Sequence, residues 1–316
     1  MRVFVTGSSG FIGFHLVKKL LNDGHEVVGV DDHNNYYDPA LKLKRLSMLN
    51  SNNFKFYETD INNIHTSEEN YDLAINLAAQ AGVRDSLKIP EEYLKSNVVG
   101  FLNIISISNE CKIDKFIYAS SSSVYGDKKE FPLIENMKIE PKNIYSASKK
   151  LNEDIAHDLS KVSDMKMIGL RFFTVYGKFG RPDMFIFKFL NSLLNNKKFH
   201  LYNKGKHYRD YTHIDDVVNI IISLIKKKIT KKFQIFNICS NDPIDLNKLV
   251  KFISNFVNIK AKIIKKKRNS IEVLKTHGDN KKILGFLKIK LTKNIFFELP
   301  AIIEWYKKNQ ILKLKN

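Results

Sequence analysis

Cysteine is nearly absent from this chain: two in 316 residues, Cys111 and Cys239, with no CxxC spacing and no nearby histidine pair. A disulfide framework or a zinc site is thereby excluded, so no metal is expected. Both thiols lie in apolar contexts that predict buried core positions. Arginine is scarce as well, 7 against 45 lysines. Sequence-specific nucleic-acid readers rely on bidentate arginine, so the net charge of +19 does not make this a nucleic-acid-binding protein. Long apolar runs are also missing. The most apolar helical stretch, Val217 to Ile225, has Asp215-Asp216 before it and Lys226-Lys227-Lys228 after it. It is too short to span a bilayer and reads as a buried helix whose flanking charges match its dipole. From Met1-Arg2 the chain runs straight into Val3-Phe4-Val5 and a glycine loop, which leaves no room for a signal peptide. A cytoplasmic protein without membrane insertion is expected.

What is present is globular. At 43% hydrophobic and 27% charged residues, the chain can bury a substantial core as one large α/β unit or two interlocked domains. The charge is unevenly placed. Residues 1–150 hold 18 basic and 19 acidic side chains, whereas residues 226–316 hold 23 and 6. Lysine, asparagine and isoleucine rise together there, as AT-rich coding writes them onto solvated surfaces.

Short β-rich runs alternate with helical stretches through the first 175 residues. The expected strands are Arg2–Thr6, Glu26–Asp31, Phe54–Thr59, Leu73–Ala78, Lys115–Ser120 and Met167–Phe173, with Phe233–Ile238 rejoining later. Their apolar runs are nearly continuous, the pattern of parallel strands covered on both faces. Helical periodicity falls at Phe11–Asn22, Glu91–Asn109, Tyr145–Leu159 and Asp215–Lys226. Repeated βα units of this size predict an α/β fold, a doubly wound parallel (Rossmann) sheet with a smaller C-terminal α/β lobe.

The first strand runs into Thr6-Gly7-Ser8-Ser9-Gly10-Phe11-Ile12-Gly13 and then a helix. Glycines there let the backbone approach a pyrophosphate, and the helix start offers free N–H groups and positive potential. Asp31 lies at the end of the second strand, where a carboxylate accepts both ribose hydroxyls and repels a 2′-phosphate. The cofactor expected is NAD, held by Gly7, Gly10, Phe11, Ile12, Gly13 and Asp31, with Asp32 able to share the ribose role. Asp60-Ile61 follows the third strand and is placed to meet the adenine. Leu77-Ala78-Ala79 follows the fourth and puts small side chains where the cofactor passes. The NAD-binding domain is accordingly 1–175 plus about 208–239, and the substrate lobe about 176–207 and 240–316.

Tyr145-Ser146-Ala147-Ser148-Lys149 places a phenol and an ammonium at i and i+4, on one helix face. Turning a phenol of pKa ~10 into a base at neutral pH takes ~4 kcal/mol of preference for phenolate. Lys149 and a positive nicotinamide ring are the expected sources, and Lys149 can also hold the nicotinamide ribose. Upstream, Ser120-Ser121-Ser122-Ser123 ends the fifth strand beside the cofactor crevice. One of these hydroxyls can relay or orient a substrate proton.

Together these motifs resemble the extended short-chain dehydrogenase/reductase family over essentially the whole chain. Within it the chain is similar to UDP-glucuronate 4-epimerases, through residues 29–38 (GVDDHNNYYD), 78–84 (AAQAGVR), 171–177 (RFFTVYG), 180–184 (GRPDM) and 209–216 (RDYTHIDD). The resemblance implies reversible oxidation at C4 of a UDP-sugar, with Tyr145 as base and Ser121 as catalytic hydroxyl. It implies Ser122, Ser123 and Thr174 as neutral donors to a uronate carboxylate, and Arg209 on the diphosphate. Arg84 and Arg181 are further substrate anchors, and a homodimer is implied. Related dehydratases and decarboxylases carry an acid before Val-Tyr-Gly, where this chain has only serine ahead of Val124-Tyr125-Gly126. A 4-epimerase of another UDP-hexose, such as an N-acetylhexosamine or its uronate, and a UDP-glucuronate decarboxylase are the neighbouring alternatives. A non-catalytic, NAD-responsive nucleic-acid-binding protein would not need both Tyr145 and Lys149. One departure stands out: the family's Gly-Asp-Val near the nucleotide is Ile271-Glu272-Val273 here.

Overall fold

Strand and helix alternate from the first residues in the computed structural model, which describes residues 1–65, 70–267 and 273–309. The order is β1 (Arg2–Thr6), α1 (Phe11–Asn22), β2 (Glu26–Asp31), α2 (Pro39–Ser47), β3 (Phe54–Glu58), β4 (Leu73–Asn76), α3 (Pro90–Leu94), α4 (Gly100–Glu110), β5 (Lys115–Ser121), α5 (Ile144–Val162) and β6 (Lys166–Phe172). There follow β7 (Thr174–Tyr176), α6 (Phe185–Leu194), β8 (Phe199–Tyr202), β9 (Tyr208–His213), α7 (Ile214–Lys226), β10 (Phe233–Ile238), β11 (Pro243–Asp245), α8 (Leu246–Val257), β12 (Ile263–Lys266), α9 (Lys281–Leu287) and α10 (Ile295–Lys308).

The central sheet is ordered β3-β2-β1-β4-β5-β6-β10, and every pair in it is parallel. This is the doubly wound Rossmann sheet that the βα periodicity predicts. The order reverses at β1, so a crevice opens beyond the C-terminal ends of β1 and β4. Helices α1 and α7 cover one face through Leu16, Leu20, Val217 and Ile221, joined by Ile283 and Leu287 of α9. On the other face Phe101 and Ile104 of α4 and Ala156 of α5 pack against Phe116 and Tyr118 of β5. A separate core built on α6, α8 and α10, including Phe189, Leu249 and Leu299, supports the C-terminal lobe. Its strands are β11-β9-β7, with β7 parallel and β11 antiparallel to β9, and the pair β12-β8.

Two local findings depart from the sequence reading, and a third adds to it. The stretch Glu91–Asn109 is not one regular helix: α3 and α4 are joined by a π-helical turn, Lys95–Val99. One extra residue per turn swings Asn97 inward, where its amide accepts from Gln80 N at 2.8 Å and donates to Gln80 O at 3.1 Å and Ser148 Oγ at 3.0 Å. The bulge thus pins the loop after β4 to α5, a use of π-turns common beside functional sites. Cys239 is buried, but Cys111, at the C-terminus of α4, is only half-buried. The C-terminal carbonyls of α7 are capped by Lys115 of β5, whose Nζ donates to Leu224, Ile225 and Lys227 at 3.1, 2.8 and 3.0 Å. The flanking charges sit as expected, Asp215 and Asp216 in the first turn of α7 and Lys226 in its last.

Candidate active site

A cavity of about 860 Å³ fills the crevice between the sheet and the lobe, and all the residues singled out as cofactor, catalytic or substrate candidates line it. At its floor Gly7 has φ +69°, and a Cβ there would lie 2.7 Å from Ala78 N. A Cβ at Gly10 would sit 2.9 Å from the Gly7 carbonyl oxygen, and one at Gly13 would overlap it outright. Gly10 caps α1 without any side-chain bond, which leaves the first N–H groups of the helix for an anion. The loop therefore fits a dinucleotide pyrophosphate closely.

Asp31 is 6% exposed and fixed at both oxygens, accepting from Ser9 N at 3.2 Å and His33 N at 3.1 Å. Lys42, from α2, reaches Asp31 at 3.5 Å and Asp32 at 3.8 Å. Asp32 is more exposed and accepts from Asn34 N at 3.0 Å. Asp60 is ion-paired with Lys95 at 2.9 Å; burial opposes its ionisation, but bonds from Asn62 and Lys95 hold its carboxyl below the usual range.

The candidate base, Tyr145, lines the same cavity and is half-buried. Burial pushes its phenol up; a hydrogen bond from Ser121 and the charge of Arg181 oppose that shift. Ser121 Oγ accepts from Ser123 N at 3.2 Å and Ser123 Oγ at 2.9 Å. With those lone pairs engaged, its own proton is directed to the Tyr145 oxygen, which favours phenolate. Lys149 Nζ donates to Ala119 O at 3.0 Å, and burial lowers its pKa to about 8.

Residues 3–239 match the model of the NAD dependent epimerase/dehydratase family. The chain belongs to that family. Its relatives include an uncharacterized protein, MJ1055, of Methanocaldococcus jannaschii, 41% identical over 98% of this chain and 97% of the relative. UDP-glucuronate 4-epimerase 4 of Arabidopsis thaliana is 34% identical over 96% of this chain and 75% of its own length. Among solved structures, UDP-glucuronic acid 4-epimerase from Bacillus cereus, in complex with UDP-glucuronic acid and NAD, superposes with a TM-score of 0.93. It shares 29% identity, covering 98% of this chain and 99% of the other.

The fold also fixes the cations that line the cavity. Arg181 is held bidentately by Asp183, Nε to Oδ1 at 2.9 Å and Nη2 to Oδ2, and Tyr36 donates to the same carboxylate at 3.4 Å. Gly82 makes room for the Tyr36 hydroxyl by adopting φ +97°. Arg84 lies over the Tyr202 ring, 5.2 Å from its centroid. Arg209 donates to the carbonyls of Tyr208, Leu274 and Val273 at 2.9, 3.1 and 2.8 Å, so its head is set by the backbone of the lobe. Ile271 and Glu272 lie outside the described residues, while Val273 lines the cavity. Asp183 carried a signal, its two-residue spacing from Arg181; Lys42 carried none, because α2 reaches Asp31 only through the tertiary fold. No helix among the described residues is long and apolar enough to cross a membrane.

Proposed function

We propose that this protein is a UDP-sugar 4-epimerase that interconverts UDP-glucuronate and UDP-galacturonate. The observation that carries the reading is the set of cavity-lining residues Tyr145, Ser121, Ser122, Ser123, Thr174 and Arg181, which joins a phenol hydrogen-bonded by Ser121 to neutral donors and one cation. Bound NAD supplies the acceptor for the hydride leaving C4 and returns it. Tyr145 takes the 4-OH proton and later gives it back, Ser121 donating to its oxygen while the negative charge is there. Lys149 sits one turn along α5 from Tyr145, placed for the nicotinamide ribose. Gly7, Gly10, Phe11, Ile12 and Gly13 take the pyrophosphate, Asp31 and Asp32 the adenosine ribose, Asp60 and Ile61 the adenine, and Leu77 to Ala79 flank the cofactor.

The oxidised sugar is a 4-keto uronic acid, a β-keto acid prone to lose carbon dioxide. Ser122, Ser123 and Thr174 can hold its carboxylate with neutral hydrogen bonds, and the segment before Val124 contains no acid to drive elimination. Arg181 adds a cation that Asp183 partly offsets. Arg209 takes the diphosphate, with Arg84, stacked on Tyr202 of the lobe, as a further anchor. We place this work in the cytoplasm, which suits two free thiols, and in a homodimer. Exposed Leu94, Val99 and Leu102 on the α3–α4 rod and Leu151 on α5 support such pairing.

Incubation with UDP-glucuronate and NAD, followed by NMR, tests the reading. UDP-galacturonate is the expected product. UDP-xylose would indicate decarboxylation and overturn the argument from the serines. Turnover of neutral or N-acetylated UDP-hexoses alone would move the substrate away from the uronate.

A further inference from the structure

We propose that the β8–β12 sheet of the C-terminal lobe is an electrostatic collar that draws an anionic nucleotide sugar into the cavity. The inference rests on reading the cavity as a UDP-sugar site. Two segments far apart in sequence build the collar. Residues 195–207 hold Lys197, Lys198, Lys204 and Lys206, residues 257–267 hold Lys260, Lys262, Lys265, Lys266 and Lys267, and neither segment contains an acid. All of these lysines are exposed. Strand β12 pairs in parallel with β8, from Ile263 beside Phe199 to Lys266 beside Tyr202, and so brings both groups onto one small sheet.

That sheet stands at the rim of the cavity. Lys198, Phe199, His200, Leu201 and Tyr202 line it, and so does His207, next to Lys206. The charges of the lining are divided in the same sense. Asp31, Asp32 and Asp60 belong to the cofactor end, whereas Lys188, Lys198 and Arg209 come from the lobe and Arg84 lies over the Tyr202 ring. Compositional drift accounts for the number of lysines in the chain, but not for their meeting at one rim with no acid among them. UDP-glucuronate carries a diphosphate and a carboxylate, and at low salt a cluster of one sign acts on such an ion well beyond contact. It speeds encounter, while dissociation is set by the contacts made inside the cavity.

Stopped-flow mixing of the NAD-loaded protein with a fluorescent UDP, followed by a chase with UDP-glucuronate, measures both rates. The combined variant Lys204→Gln, Lys206→Gln, Lys265→Gln and Lys266→Gln changes no residue that lines the cavity. Its association rate should be roughly 3- to 10-fold lower than wild type at about 10 mM salt. The gap should close at about 0.5 M salt, and the dissociation rate should stay within about twofold. A fluorescent uridine, which lacks the diphosphate, should associate alike with both proteins. Neutralising Lys226, Lys228, Lys231 and Lys232 instead, which lie between α7 and the N-terminal end of β10, removes the same net charge away from the crevice and should keep the wild-type rate. Equal association rates for the first variant and wild type at 10 mM salt would overturn the proposal. So would an equal fall in the second variant, or a fall shared by uridine. Wild-type protein from which UDP-glucuronate displaces no UDP would instead remove the reading beneath it.

Discussion

Lys149 makes the protein less stable than it need be. The side chain is 2% exposed, and burial brings its pKa from 10.5 down to about 8. Between those values the unfolded chain holds a proton that the folded chain has released, so stability rises with pH across that window. Below about 8 the charged, buried ammonium carries the full penalty, about 3 kcal/mol. Lys149→Met keeps much of the apolar stem and removes the charge, but loses the bond to Ala119 O, worth about 1 kcal/mol. The variant should therefore be about 1–2 kcal/mol more stable than wild type at pH 7. That advantage should disappear by about pH 10, as wild type sheds its proton and the variant has none to shed. Urea unfolding of both proteins, freed of nucleotides, at several pH values from 7 to 10 measures the difference. Turnover should meanwhile collapse. A variant less stable than wild type at pH 7, or a gap unchanged between pH 7 and 10, would refute the reasoning.

Arg171 and Glu153, each 5% exposed, form a bidentate pair at 2.8 and 2.7 Å that ties α5 to β6. Arg171→Met should cost about 3–5 kcal/mol in urea unfolding by stranding the carboxylate, and adding Glu153→Leu should recover much of it. Gly13→Ala should weaken NAD binding at least tenfold in a fluorescence titration, because its Cβ collides with the Gly7 carbonyl. Gly285→Ala, whose Cβ meets nothing within 4 Å, should leave NAD binding unchanged.

Features written in short-range spacing were legible before the fold. The glycine loop, Asp31 at the end of β2 and the i, i+4 pair Tyr145 and Lys149 each need only one element or one turn to define them. Features made by distant approach were not. Lys42 meets Asp31 across a loop, and nothing in its own helix marks it. The π-turn at Lys95–Val99 escaped notice because one extra residue barely disturbs an apolar periodicity, yet it places Asn97 on the loop after β4. The bond from Lys149 to Ala119 O depends on how α5 lies on β5. Arg209, Arg84 and Arg181 line the cavity, while most lysines lie outside it.

UDP-glucuronate carrying deuterium at C4 offers the most direct measurement. Followed by NMR with the NAD-loaded protein, the account predicts UDP-galacturonate that keeps the deuterium at C4, because the hydride leaves one face and returns to the other. UDP-galacturonate with the label washed out, or UDP-xylose as the product, would contradict it.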